Sequence, residues 1–167
     1  MLDVLAAVEK ELPRLLLDES AWNGLFIDYH PPTVERLWTR WQDCRVSLHR
    51  IHACDPGQAL FHPHPWPSAM RILAGEYEMA VGYGKGETLP PVAALMIAKG
   101  DFRYEMTDPD AWHYVRPLDG PTLSLMVTGQ PWDRPAPRSS KPLVPLTDPQ
   151  RSELFALFRA FYPAQAD

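Results

Sequence analysis

Three histidines are the residues in this chain whose type and spacing could together do chemistry. His62 and His64 lie two positions apart in a stretch that we predict to be extended, and side chains two apart on a strand point to the same face. His113 follows 49 residues after His64, just before an alternating apolar–polar segment. Imidazole is the commonest metal ligand in proteins, and three neutral nitrogens leave coordination positions open, as in catalytic metal sites. On spacing alone, a His-x-His pair fits surface or hydrogen-bonding histidines equally well.

Arg71, Trp66 and Met70 are the candidate substrate-binding residues. If Arg71 points into the barrel near the histidines, its guanidinium can clamp a substrate carboxylate, because a buried cation requires an anionic partner. An outward Arg71 is an equally good interpretation, since Pro65 and Pro67 interrupt the strand register. If Arg71 pairs with an acidic residue of the protein instead, the pocket is mainly apolar and is lined by Trp66 and Met70. Three acids are candidates for that pairing: Glu76, Glu78 and Glu105.

The elements that must position these residues follow from hydrophobic periodicity. Residues 2–12 and 34–41 carry apolar residues at helical spacing, which predicts two N-terminal helices, the first interrupted by Pro13 and the second capped by Thr33. From residue 45 onwards the period shortens to two. The predicted strands are 45–54, 60–64, 69–74, 76–83, 92–98, 102–106, 112–116 and 122–128. A last helix is predicted at 147–163, capped by Thr147 or Asp148.

Eight short strands separated by turn residues predict a mainly β protein, a closed barrel or double-sheet jelly roll with flanking N-terminal helices and a C-terminal helix. The 19 prolines among 167 residues support this, because proline is confined to turns, strand ends and connectors. We expect one domain over 1–167: an N-terminal helical segment at 1–43, the β-barrel at 44–130, a Pro-rich connector at 131–146 and the helix at 147–163.

The order of glycines and histidines resembles the cupin superfamily, which pairs a Gly-x5-His-x-His strand motif with a second motif that carries one more histidine. The matching positions, in order, are Gly57, His62, His64, Gly75, Gly100 and His113. The resemblance covers roughly residues 45–130. It implies a double-stranded β-helix (cupin barrel) with a metal held inside one mouth by the three histidines.

Two departures from the cupin pattern bear on the chemistry. Cupins commonly carry a glutamate four or five residues after the second histidine, where this chain has Ser68 and Ala69. The resulting all-histidine set is similar to that of thiol dioxygenases and related iron-dependent cupin oxygenases. Of the Ser-x-His-x-Tyr segment of thiol dioxygenases only Ser124 agrees, because Met126 and Thr128 replace the other two groups. A substrate different from theirs is therefore expected.

The resulting hypothesis is a mononuclear Fe(II) dioxygenase that acts on a small organic acid or thiol. Two alternatives stay open. One is a non-oxidative metal cupin, an isomerase, lyase or hydrolase with Zn, Mn or Ni as the Lewis acid. The other is a non-catalytic small-molecule-binding barrel in which the histidines only line a pocket.

The composition argues against nucleic acid and membranes as partners. We expect a small-molecule substrate and, as a further option, a homodimer. The net charge of −5 argues against nucleic-acid binding, which requires clustered Lys and Arg. No apolar run approaches the length of a membrane span, and no signal peptide is recognisable at the first residues. Two cysteines, Cys44 and Cys54, are too few for a disulfide framework, so we expect a cytoplasmic protein.

Overall fold

Ten β-strands and two α-helices make up the chain in a computed structural model that describes residues 1–86, 88–133 and 141–164. Helix α1 spans Leu2–Leu15 and helix α2 spans Asp148–Phe161. The strands are β1 Asn23–Ile27, β2 Val34–Trp41, β3 Cys44–Ile51, β4 His62–Pro63, β5 Ser68–Ala74, β6 Glu76–Tyr83, β7 Val92–Lys99, β8 Arg103–Met106, β9 Ala111–Pro117 and β10 Thr122–Thr128. The predicted mainly β architecture with helices at both ends is confirmed.

The strands form two antiparallel sheets. One has six strands in the order β1-β2-β3-β10-β5-β8, and the other has four in the order β4-β9-β6-β7. Neighbours that are far apart in sequence, such as β3 beside β10, bring the two ends of the barrel segment together. Gly75 (φ 78°) makes the turn from β5 in the first sheet to β6 in the second. A Cβ there would lie 3.0 Å from the backbone oxygen of Pro121, so the turn requires glycine.

Both helices pack on the outer face of the six-stranded sheet. Successive strand residues point to opposite faces, and the outward set of β2, β3 and β10 is apolar. The buried cluster joins Leu5, Val8 and Leu12 of α1 and Leu154, Phe155 and Phe158 of α2 to Leu37, Val46, Leu48, Leu125 and Val127 of the sheet. The inward set of the same strands is left to face the second sheet.

The C-terminal helix begins where its sequence signals predict. Thr147 is the N-cap: its side chain accepts a hydrogen bond from the backbone N–H of Gln150, whose side chain returns to the Thr147 backbone N–H. This reciprocal arrangement satisfies two N–H groups that the first turn leaves without helical partners. Before it, Val144 pairs with Phe26 of β1, so the end of the predicted connector lies along the sheet edge. Residues 134–140 of that connector lie outside the described residues.

The second N-terminal helix is a wrong prediction, because residues 34–41 form strand β2. The apolar residues Val34, Leu37, Trp38 and Trp41 fit helical spacing, but β-branched and aromatic residues also favour strands. A two-residue turn at Gln42 and Asp43, with Gln42 at φ 52°, joins β2 to β3 in a hairpin, and pairing with both β1 and β3 decides the outcome. The sheet therefore starts at residue 23, inside the segment predicted to be helical.

Pro13 does not end the first helix, which continues to Leu15. Proline removes only its own N–H bond, and the Leu16 N–H still reaches the Leu12 carbonyl at 2.9 Å.

Strand β7 lies at an edge of the four-stranded sheet with Val92, Leu95 and Ile97 exposed. The homodimer suggested from the sequence stays a prediction. Among the described residues, no helix has the length and apolar character that crossing a membrane would require.

The packing of α2 predicts that Phe158→Ala lowers the free energy of unfolding by about 3–5 kcal/mol, because the ring is fully buried in the sheet–helix core. Phe161→Ala is the matched control in the same helix, with a ring that is 41% exposed. Urea unfolding of both variants measures the difference. Equal losses for the two substitutions would contradict the packing of α2 on the sheet.

Candidate metal site

The three histidines converge between the two sheets. His62 on β4 lies directly opposite His113 on β9 in the strand pairing, and His64 follows two residues later. One ring nitrogen from each residue lies within 4.8 Å of those of the other two. The ring centroids are 5.1 Å apart for His62 and His113 and 4.4 Å apart for His64 and His113. The convergence predicted from the His-x-His spacing is thus present, although β4 is only two residues long.

Hydrogen bonds from the chain orient two of the three rings. Nδ1 of His62 lies 2.8 Å from the Leu60 carbonyl oxygen, to which it donates, so Nε2 is the nitrogen with a free lone pair. Nδ1 of His64 lies 3.2 Å from the Ser68 hydroxyl. Ser68 occupies a position where cupins commonly have a glutamate. Here it contacts Nδ1 of His64, the ring nitrogen that does not face His113. Such outer contacts fix ring orientation and tautomer in metal sites.

Burial keeps the rings neutral. It lowers the pKa of His62 to about 4 and that of His64 to about 3, with a smaller effect from the positive charge of Arg36 on both. Burial also lowers the pKa of His113 well below its ordinary value, and the neighbouring histidines act in the same direction. Neutral imidazole is the form that ligates metals.

The donor set fits a divalent metal. Nε2 of His64 and Nε2 of His113 lie 2.8 Å apart, so in the metal-free protein one neutral ring donates its Nε2–H to the lone pair of the other. No carboxylate of the described residues belongs to this cluster. A group of three nitrogen donors is able to bind a divalent ion through its lone pairs.

The histidines open onto a cavity of about 200 Å³ between the sheets. This is small beside the 300–1,000 Å³ typical of sites for drug-sized ligands. Its wall is mostly apolar, with the polar residues gathered near the histidines. The lining residues are Ile27, Tyr29, His30, Pro32, Val34, Arg36, His49, Ile51, Leu60, His62, Pro63, His64, Pro65, Trp66, Met70, His113, Val115 and Met126.

Two of the three predicted substrate-binding residues are in this wall. Trp66 and Met70 line the cavity, and the Trp66 ring centroid lies 6.3 Å from that of His64. Met70 is held from behind by Tyr104, whose hydroxyl lies 3.0 Å from the Met70 sulfur. The predicted contribution of Trp66 and Met70 to an apolar pocket therefore agrees with their positions.

Arg71 is not in the cavity, so its assignment as a substrate-binding residue is corrected. Adjacent strand residues face opposite ways, and Met70 faces inward. Arg71 therefore lies beneath helix α1, where its guanidinium forms ion pairs with Glu9 and, at 2.6 Å, Asp101. None of the three acids proposed from the sequence is its partner. The error arose because Pro65 and Pro67 interrupt the strand before β5, so the sequence does not tell on which face of the sheet Arg71 lies.

Arg36 and His49 are wall residues whose role the sequence did not reveal. They are directly opposite each other on β2 and β3, and Nε of Arg36 donates to Nε2 of His49 over 2.8 Å. Burial lowers the pKa of Arg36 to about 10, so it stays charged at neutral pH. Reading residues 34–41 as a strand would have placed Arg36 on the inner face with Val34. Because this segment was interpreted as a helix, Arg36 was not assigned to the inner face of the sheet.

His52, on the other face of the β3 end, serves a different purpose. Its Nε2 lies 2.9 Å from the buried carboxylate of Glu35, which also holds Arg50. Both His49 and His52 are thus hydrogen-bonded in the structure. Ser124, the residue shared with the thiol dioxygenase segment, is buried on β10 directly opposite His49.

The depressed histidine pKa values predict acid sensitivity of the metal-free protein. Below about pH 6.5 the unfolded chain binds protons at these histidines that the folded chain does not, so stability falls as pH falls. Each such histidine contributes up to about 1.4 kcal/mol per pH unit until its folded-state pKa is reached. We expect urea unfolding in EDTA to show a loss of several kcal/mol between about pH 7 and pH 5. His64→Gln should flatten the slope, and a flat wild-type profile would contradict neutral burial of the rings.

Comparison with known proteins identifies the fold. No protein-family description matches the chain, and no curated protein matches it in sequence. Among solved structures, the chain is similar to an iron(II) form of HppE (TM-score 0.52, 14% identity, covering 66% of this chain and 57% of that one). It is also similar to hydroxypropylphosphonic acid epoxidase from S. wedmorenis (TM-score 0.50, 15% identity, covering 66% and 56%).

The matched region spans little more than half the length of these solved proteins. At such identity the likeness concerns the fold. The solved proteins have the cupin fold, and this chain has the same arrangement of two antiparallel sheets around an interior three-histidine cluster. The chain therefore has the cupin fold.

Proposed function

We propose that this protein is a mononuclear metal-dependent cupin enzyme that uses Fe(II) and O₂ to oxidise a small organic acid or thiol. The observation that supports it is the group of three neutral histidine nitrogens, within 4.8 Å of one another, in the wall of a small internal cavity. His62, His64 and His113 would hold the ion. The substrate would occupy the adjoining space.

Three protein ligands leave other positions on the ion open for substrate and oxygen, which is the property that separates catalytic from closed structural sites. When bound, the ion would supply Lewis-acid and one-electron redox chemistry at the cavity wall. Imidazole suits iron, zinc, nickel and copper alike. Iron is the first choice because the fold neighbour HppE is described with iron(II).

The chain's own residues would bind and orient the substrate and keep water out. Trp66, Met70 and Met126 give the wall an apolar surface close to the histidines. Excluding water strengthens each electrostatic contact inside the site, and a fixed orientation removes most of the entropy cost of bringing reactants together. The cavity of about 200 Å³ favours a small substrate, since an apolar cavity of about 150 Å³ already holds a molecule of the size of benzene.

Two alternatives remain as outcomes of the tests. A non-oxidative cupin, such as an isomerase or lyase, would use the same three histidines with zinc, nickel or manganese. A non-catalytic binding barrel would use the cavity without a metal. We propose a cytoplasmic location on the basis of the cysteine content.

The metal hypothesis predicts one divalent ion per chain in wild-type protein after loading with Fe(II) under anaerobic conditions. His64→Ala should reduce bound metal to less than about a tenth of that, because two ligands rarely retain an ion that requires three. The variant should stay folded, since the sheet–helix core supplies the stability. Elemental analysis and circular dichroism measure the two properties.

The matched control is His52→Gln, which alters a histidine that contacts Glu35 away from the cavity. It should bind metal like the wild type. If His64→Ala and His52→Gln retain equal metal, the three-histidine site is not where the ion binds. A wild-type protein that binds none of iron, zinc, nickel and manganese would leave the non-catalytic binding barrel as the remaining alternative.

The oxidative hypothesis predicts O₂ consumption by the Fe(II)-loaded protein when small carboxylic acids and thiols are screened with an oxygen electrode. The zinc-loaded protein should consume none, because zinc does not change oxidation state. Substrate loss should match O₂ uptake in mass spectrometry. Conversion of a substrate without O₂ by the zinc, nickel or manganese form would instead establish the non-oxidative alternative.

A further inference from the structure

We propose that the ligand of the cavity is a small oxyanion, a carboxylate or phosphonate, and that Arg36 binds it. This inference rests on the proposed function and deepens it, because it selects an anionic acid over a neutral thiol. It also names the residue that recognises the substrate. Arg36 lies in the cavity wall on β2 of the six-stranded sheet, whereas His62 and His113 lie on β4 and β9 of the other sheet.

Arg36 forms no ion pair with an acid of the described residues, in contrast to three other half-buried arginines. Arg50 pairs with Glu35, Arg71 with Glu9 and Arg116 with Glu78. Arg36 makes its hydrogen bond to His49 and contacts no carboxylate anywhere in residues 1–86, 88–133 and 141–164. An internal guanidinium without an anionic partner is costly, so the site is built for an anion that arrives from outside.

The rest of the wall strengthens this argument. No aspartate or glutamate is among the described residues that line the cavity, whereas Arg36 and five histidines are. With a divalent ion on three neutral histidines, the cavity would hold three formal positive charges and no protein anion. Like charges in one poorly solvated cavity repel each other, and a bound oxyanion would reduce that repulsion.

His49 would act as the positioning residue for Arg36. It accepts a hydrogen bond from Nε, and neither terminal nitrogen of the guanidinium forms a hydrogen bond with the described residues. Those nitrogens form a planar fork that matches two oxygens of a carboxylate or phosphonate. Burial, together with the charge of Arg36, lowers the pKa of His49 well below its ordinary value, so it stays a neutral acceptor.

The experiment uses the full chain stripped of metal with EDTA, so that an anion cannot be captured by an ion. Fluorine NMR measures the Kd of trifluoropropanoate and of its uncharged analogue trifluoropropanamide. We expect the wild type to bind the carboxylate and to discriminate against the amide. Arg36→Met should weaken carboxylate binding by about tenfold, the usual consequence of losing hydrogen bonds between charged groups.

Arg71→Met is the matched control, because it removes the same group from the opposite face of the sheet. It should leave both Kd values unchanged. Arg36→Lys should give an intermediate Kd, since it keeps the charge and loses the fork. Competition by unlabelled methylphosphonate tells whether a phosphonate shares the site with the carboxylate.

A loss of less than threefold in Arg36→Met, or equal losses in Arg36→Met and Arg71→Met, would overturn the proposal. If Arg36→Met does not fold, the wild type decides alone: equal binding of the acid and the amide overturns the proposal, and preference for the acid supports it. Because metal is absent throughout, failure here differs from failure of the metal site. That site is tested separately by loading the ion into wild type and His64→Ala.

Discussion

Side-chain alternation in the six-stranded sheet is the constraint on which the rest of the molecule depends. Each strand has one face for the two helices and one for the cavity. On β2 and β3 this gives Leu37 and Leu48 to the core, and Arg36 and His49 to the interior. A shift of one residue in the pairing would exchange the two sets and move Arg36 to the face that the helices cover. Core packing and the cavity are therefore specified by the same register.

The histidine cluster depends on the second sheet in a different way. Strand β4 has two residues, and prolines at positions 63, 65 and 67 prevent a longer ladder. Pairing of His62 with His113 is nevertheless enough to set their separation, and Ser68 at the start of β5 contacts His64. The site thus lies where the two sheets meet. Two of the three histidines lie on the four-stranded sheet, and more of the cavity wall lies on the six-stranded one.

The sequence predicts the fold class, the strands from β5 onwards and the histidine cluster, because these rest on local period and on ligand type. It does not predict β2, since Val34, Leu37, Trp38 and Trp41 satisfy helical and strand spacing alike and only pairing with β1 and β3 decides. The same ambiguity hides Arg36. The orientation of Arg71 depends on register after two prolines, which local sequence does not encode.

The absence of carboxylates from the described cavity wall has a consequence for metal choice in a cell. Magnesium and calcium are hard cations that require oxygen ligands, six or more in the case of calcium. A wall that offers imidazole nitrogens and a guanidinium gives them neither ligands nor compensating charge. The three imidazole donors therefore suit these hard cations poorly. Under the proposed function, the competitors for the site would be transition metals, among which geometry, ligand type and availability select more than raw affinity.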